Sequence, residues 1–175
     1  MKGQIKYYAG IGSRETPPGI EPMIEEAVKI LTKFGYVLRS GGADGSDSMF
    51  EKYCDDNKEI YLPWKGFNKN ESALYLDNMD PEIVEKSKEI AKKFHPSWGY
   101  LSEGGRKLMT RNTFQILGKD LETPVSFVVC WTQGGKISGG TGQALRIAKS
   151  LSIPIFNLYD KNTLHKLKLQ INNNQ

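Results

Sequence analysis

The chain has 175 residues, 38% hydrophobic and 25% charged, with a formal net charge of +4 at pH 7. That composition lies near the globular average and excludes disorder, collagen and coiled coil. No apolar run approaches the roughly 20 residues of a membrane span. The mild positive charge suits an anionic ligand but does not by itself mark a nucleic-acid-binding protein. The start, MKGQIKYYAGIGSR, lacks an apolar signal core with a small-residue cleavage site, so a cytosolic protein is expected. Cys54, Cys130 and two histidines stand in no ligand spacing, which argues against a zinc site. Cys130 ends the run SFVVC and reads as a buried small hydrophobe.

Strands and helices alternate along the chain. IKYYAGIG is a β-rich run, giving a strand near 5–11. Ile20, Met23, Ile24, Ala27, Ile30, Leu31 and Phe34 then recur at helical spacing, with Gly35 as a candidate C-cap. YVLRS predicts a strand near 35–39, the loop GGADGSD follows, and SDSMFEKYCDD reads as a short helix. KEIYLP predicts a strand near 58–62. The β-α-β-α-β order is the signature of a parallel sheet with helices on both faces.

From Trp64 to Met79 the periodicity fails, and an insertion is expected at about 63–80. PEIVEKSKEIAKKFH predicts a helix with Pro81 in its first turn, and RKLMTRNTFQILGKDL a second one. PVSFVVCW is a continuous apolar run suited to a central parallel strand near 125–130. QGGKISGGTG is a Gly-rich loop, TGQALRIAKSLS a helix, and IPIFNLY the last strand, near 153–157. The tail KNTLHKLKLQINNNQ reads as one amphipathic turn that frays at its Asn run.

Three Gly-rich loops follow predicted strands: GIGSRETPPG, SGGADGSD and TQGGKISGGTG. Glycines at such positions let backbone approach a ligand, and the next helix N-terminus offers free N–H groups to an anion. With Ser13, Arg14, Ser40, Ser138 and Thr141 among them, the three together favour a phosphate-bearing ligand. None matches GxxxxGK[ST] or GxGxxG, which argues against an ordinary ATPase and a standard NAD dehydrogenase. Arg14 either clamps a phosphate or pairs with Glu15 or Asp47. Asp47 either bonds a ribose or caps its helix. Arg111 and Asn112 either face the loops or lie on an exposed helix surface. Trp131 either stacks on a base or packs, whereas Trp64 and Phe67 read as packing. His95 reads as a turn residue, and Lys88, Lys92 and Lys93 as a solvated helix face.

The order GSR, SGGADGSD, LSE, RN, SGGTGQALRIA and IPIFNL resembles the SLOG superfamily over residues 5 to 158. Within it the pattern is similar to the core of the DNA-processing protein A family and to the short phage-type and bacterial SLOG proteins. The resemblance implies a Rossmann-like, doubly wound α/β domain with a mostly parallel sheet; the domain is expected over residues 1–160, followed by a C-terminal helix or tail over 161–175. It also implies loops that bind nucleotides, nucleotide derivatives or single-stranded DNA. The matching positions are Gly12, Ser13 and Arg14; Ser40, Gly41, Gly42, Gly45 and Asp47; Arg111 and Asn112; and Ser138, Gly139, Gly140 and Thr141. The DNA-processing family carries further domains around this core and a different segment where WKGFNKNE stands here, so recombinase loading is not carried over.

The LOG phosphoribohydrolases, a second branch, carry PGGxGTxxE with a catalytic Glu. Here Gln143 and Ala144 stand where that carboxylate is expected; Glu103, Asp44 or Asp47 is left to substitute for it. The expectation is therefore a module that binds a nucleotide-derived ligand, with Asp44 and Gln143 added to its site, no cofactor, and homo-oligomers in which two chains bury one ligand. A nucleoside-phosphate glycosidase is the first alternative. Single-stranded DNA binding is the second, along a groove lined by Arg14, Arg39, Lys65, Arg106, Lys107 and Arg111.

Overall fold

The computed structural model describes residues 3–175. Six strands form one parallel sheet: β1 (Lys6–Gly12), β2 (Tyr36–Ser40), β3 (Lys58–Leu62), β4 (Leu74–Tyr75), β5 (Phe127–Trp131) and β6 (Ile155–Asn157). Their spatial order is β4-β3-β2-β1-β5-β6. Six α-helices accompany them: α1 (Glu21–Lys33), α2 (Ser46–Tyr53), α3 (Pro81–Lys93), α4 (Glu103–Leu117), α5 (Gly139–Ser150) and α6 (Thr163–Asn173). This is the expected Rossmann-like α/β architecture, doubly wound with helices on both faces.

Each face has its own core. On one, Ile24, Ala27, Val28 and Leu31 of α1 pack with Phe50 of α2 and Leu167 and Ile171 of α6. On the other, Ile116 and Leu117 of α4 pack with Ala144, Leu145, Ile147 and Ala148 of α5. The four buried positions of α1 follow the 3-4 spacing read from the sequence. Every residue of β5 is buried, as a strand covered on both faces requires. It lies second from the sheet edge rather than at the centre, between β1 and β6.

Two elements exceed the sequence reading. β4 adds a two-residue edge strand inside the expected insertion, pairing Tyr61 with Leu74 and Leu62 with Tyr75. The C-terminal segment, expected as a helix or tail with one amphipathic turn, forms an 11-residue helix. It is held because Leu167 and Ile171, one turn apart, are both buried against the sheet's covering helices. No helix among the described residues is long and apolar enough to cross a membrane.

From β1 the chain steps through β2 and β3 to β4 on one side, then returns to β5 on the other side of β1. The winding therefore reverses between β1 and β5. At that point the loops beyond the two strands part to opposite faces at the carboxyl edge of the sheet, where folds of this kind bind their ligands.

Candidate functional site at the switch point

The switch point is built by the ends of β1, β2 and β5. Ser13, just past β1, donates its N–H to the Trp131 carbonyl of β5 at 3.0 Å, and its own carbonyl accepts from the Ser46 N–H at 3.2 Å. That carbonyl also accepts the Thr16 hydroxyl at 2.6 Å, and Thr16 Oγ1 shares a 2.6 Å hydrogen bond with Ser46 Oγ. These contacts clamp the GSR segment between β5 and the start of α2. Gly45 makes the clamp possible. Its φ is +78°, and a Cβ there would lie 2.6 Å from the Arg14 carbonyl oxygen.

Beneath the loops lies a buried polar floor supplied by α4. From Met109 to Leu117 this helix is buried on every side, so its polar side chains need partners. Arg111 finds them in backbone. Its Nη1 donates to the Gly41 carbonyl and, at 3.3 Å, to the Tyr61 carbonyl, while Nε donates to Asn112 Oδ1 at 3.0 Å. Asn112 Nδ2 in turn donates to the Gly140 carbonyl at 3.1 Å, tying the start of α5 to the floor. Arg111 and Asn112 sit in the middle of α4 and face the loops rather than solvent.

Asp47 is 4% exposed and belongs to the same floor. It accepts from the Ala43 N–H at 3.3 Å and from the Gly12 N–H, and so staples the β1 and β2 loops together. Burial raises its pKa to about 6, opposed by the charge of Arg111 and by the two backbone donors. Arg111 is lowered to about 10, again by burial. A Cβ at Gly41 would lie 2.7 Å from Arg111 Nη1 and 2.8 Å from Asp47 Oδ2, so only glycine fits above this pair.

The other expected positions differ in what they leave open. The Ser40 hydroxyl is buried and donates to the Gly10 carbonyl at 2.6 Å, a structural bond within the sheet edge. Gly42 is buried, its carbonyl accepting from Asn68 Nδ2 at 3.0 Å, and the exposed Asp44 accepts from the same amide at 3.1 Å. Arg14 is exposed and, among the described residues, has no ion-pair partner.

At the start of α5, Ser138 occupies the cap position without making a cap hydrogen bond. The N–H groups of Gly139, Gly140 and Thr141 have no acceptor among the described residues. Gln143, one turn further on, is fully buried, and neither atom of its amide is hydrogen-bonded.

Of the carboxylates left to replace a catalytic Glu, Glu103 is 88% exposed in the first turn of α4 and lies 3.9 Å from Lys107. Trp131 is buried and packs on Tyr159, and His95 Nδ1 accepts from the Ser97 N–H in a turn. The sequence reading missed the segment after β3. Phe67 packs beneath the Arg111 guanidinium, 5.5 Å from it, so the stretch taken as ordinary packing borders the floor. Its signal was the interleaving of aromatics with lysines in WKGFNKN.

Two hollows flank this edge, one reached by Gly135 and Ile137 of the β5–α5 loop, the other by Lys69 and Asn70 of the segment after β3. One, of about 460 Å³, runs between α5 and β6 and is lined by Ile137, Leu145, Lys149 and Ile155. The other, of about 650 Å³, flanks β3 and β4 and is lined by Glu51, Lys58, Asn70 and Glu71. Neither is lined by Arg14 or by Gly139, Gly140 and Thr141, which are set on an exposed shelf at the switch point.

No family model matches the chain, and no curated protein matches its sequence. By structure, the chain is similar to DNA processing protein A from Helicobacter pylori, a protein with a described single-stranded DNA binding mode. The TM-score is 0.49 and the identity 14% over 87% of this chain. The chain spans 64% of the length of that protein. The class that the fold defines is a doubly wound parallel α/β protein.

Proposed function

We propose that this chain binds a nucleotide or nucleotide-derived ligand through its phosphate, at the switch point between β1 and β5. The observation that carries the reading is the start of α5. Three backbone N–H groups, an uncapped Ser138 and the positive end of a 12-residue helix dipole lie at the carboxyl end of the most buried strand. The unpaired amide of Gln143 lies in the second turn of that helix and adds polar capacity that the protein itself leaves unused. Arg14 stands on the clamped β1 loop, exposed and without an ion-pair partner, and supplies a guanidinium for bidentate phosphate binding.

Binding without efficient cleavage of the glycosidic bond is the form we favour. An oxocarbenium-like transition state needs a carboxylate beside the sugar. Ala144 and Gln143 stand where the loop would supply one, and Asp47 is spent on two backbone donors. The test is calorimetric titration with adenosine 5′-monophosphate, followed by chromatography of the incubated mixture. Saturable binding without release of adenine supports the proposal; release of adenine moves the protein to the hydrolases. A single-stranded oligonucleotide presents the same phosphate and base. An oligonucleotide that displaces the mononucleotide and binds more tightly would assign the shelf to DNA.

A further inference from the structure

We propose that Trp64 is the stacking platform for the nucleobase and sets a preference for purines over pyrimidines at this shelf. The inference rests on reading the site as nucleotide-binding. Trp64 is the second residue past the end of β3, so it stands at the same carboxyl edge as the phosphate loops. It is 38% exposed, while the other two tryptophans, Trp98 and Trp131, are buried. Its indole is nonetheless held in place. Phe67 meets it edge-on, with ring centroids 5.3 Å apart and planes at 88°. Gly104 presents no side chain towards it, and a Cβ there would lie 3.9 Å from Trp64 Cζ3.

These contacts place Trp64 above the polar floor. Gly104 and Arg111 are seven residues apart on α4 and share a face, about 10 Å apart along the axis. Phe67 packs on Arg111 below, and Trp64 packs beside Gly104 above. An aromatic wall thus rises from the buried arginine that holds Gly41 to an exposed indole. The wall is pinned to the β2 loop by Asn68, whose amide bonds both Gly42 and Asp44. It is pinned in an unfavourable backbone, with φ of 51° at Asn68 and 60° at Lys69. Lys65 and Lys69 flank it, both exposed and without ion-pair partners among the described residues. An exposed, fixed aromatic between cations is the chemistry that stacks a base and attracts its phosphates.

The larger purine ring covers more of an indole than a pyrimidine does, which gives the direction of the preference. The test is calorimetry on the wild-type chain, Trp64→Ala and Trp64→Phe with three probes: adenosine 5′-monophosphate, cytidine 5′-monophosphate and ribose 5-phosphate. In the wild type the adenine nucleotide should bind roughly ten-fold more tightly than ribose 5-phosphate, with the cytosine nucleotide between them. Trp64→Ala should lower the adenine nucleotide to the level of ribose 5-phosphate and leave ribose 5-phosphate unchanged; Trp64→Phe should restore most of the difference. If the adenine nucleotide binds wild type and Trp64→Ala equally, the platform is overturned and the phosphate site stands. If none of the three probes binds the wild type, both readings fall.

Discussion

At the scale of single residues, Asp47 shows how one buried carboxyl couples architecture to pH. Its pKa is raised from 3.8 to about 6 by burial, and the facing groups are Arg111, Glu51 and the N–H donors of Gly12 and Ala43. A carboxyl with a higher pKa in the folded state keeps its proton there after the unfolded chain has lost it. Its stabilising contribution is therefore complete below about pH 3.8 and is lost as pH rises through about 6. Unfolding in urea between pH 4 and 7 should show the wild type losing stability relative to Asp47→Asn, by at most about 1.4 kcal/mol per pH unit. Parallel profiles would refute the buried titration.

Arg14 is exposed, so Arg14→Ala should leave the unfolding midpoint unchanged while weakening adenosine 5′-monophosphate by about 1–3 kcal/mol in calorimetry. Unchanged affinity would remove Arg14 from the site. Gly45→Ala should act the other way round. Its positive φ and the nearby Arg14 carbonyl predict a loss of about 2 kcal/mol or more, read as a lower urea midpoint. Arg111 and Asn112 were legible from the sequence as a polar pair on a helix, matched by the family resemblance, but their burial and partners were not. The place of Phe67 beside Arg111 was signalled only by the interleaving of aromatics with lysines in WKGFNKN, since an aperiodic stretch does not show which surface its aromatics meet.

At the scale of elements, the regular pieces were readable where periodicity and burial agree. α1 shows its buried face at 3-4 spacing, and β5 shows burial on both faces as an unbroken apolar run. β4 was not readable, since two residues carry no period and its pairing is set by Tyr61 and Leu62 of the neighbouring strand. α6 was read as a helix or tail with one amphipathic turn because its polar residues outnumber its anchors. Leu167 and Ile171 are enough, being almost fully buried against the α1 face. Ile171→Ala should therefore cost about 2–4 kcal/mol, although it lies four residues from the last residue, Gln175. Thermal unfolding checks this: a shift within error of zero would mean that α6 adds nothing to the core.

At the scale of the whole molecule, the strand order β4-β3-β2-β1-β5-β6 decides where chemistry can occur. It brings Ser13 beside Trp131, 118 residues away, and Asn112 beside Gly140, 28 residues away. The β-α-β alternation made that convergence foreseeable. The depth of the polar floor was not, because it depends on α4 being enclosed on all sides. With a net charge of +4 and the shelf's exposed cations, nucleotide affinity should also fall as salt rises.

The measurement that tests the central claim most directly is the amide chemical-shift map of the chain as adenosine 5′-monophosphate is added. The largest shifts are predicted at Ser13, Arg14 and Gly139 to Thr141, with smaller ones at Gly41 and Gly42. Shifts confined to the hollow beside β6, or none at saturating nucleotide, would contradict a phosphate site at the switch point.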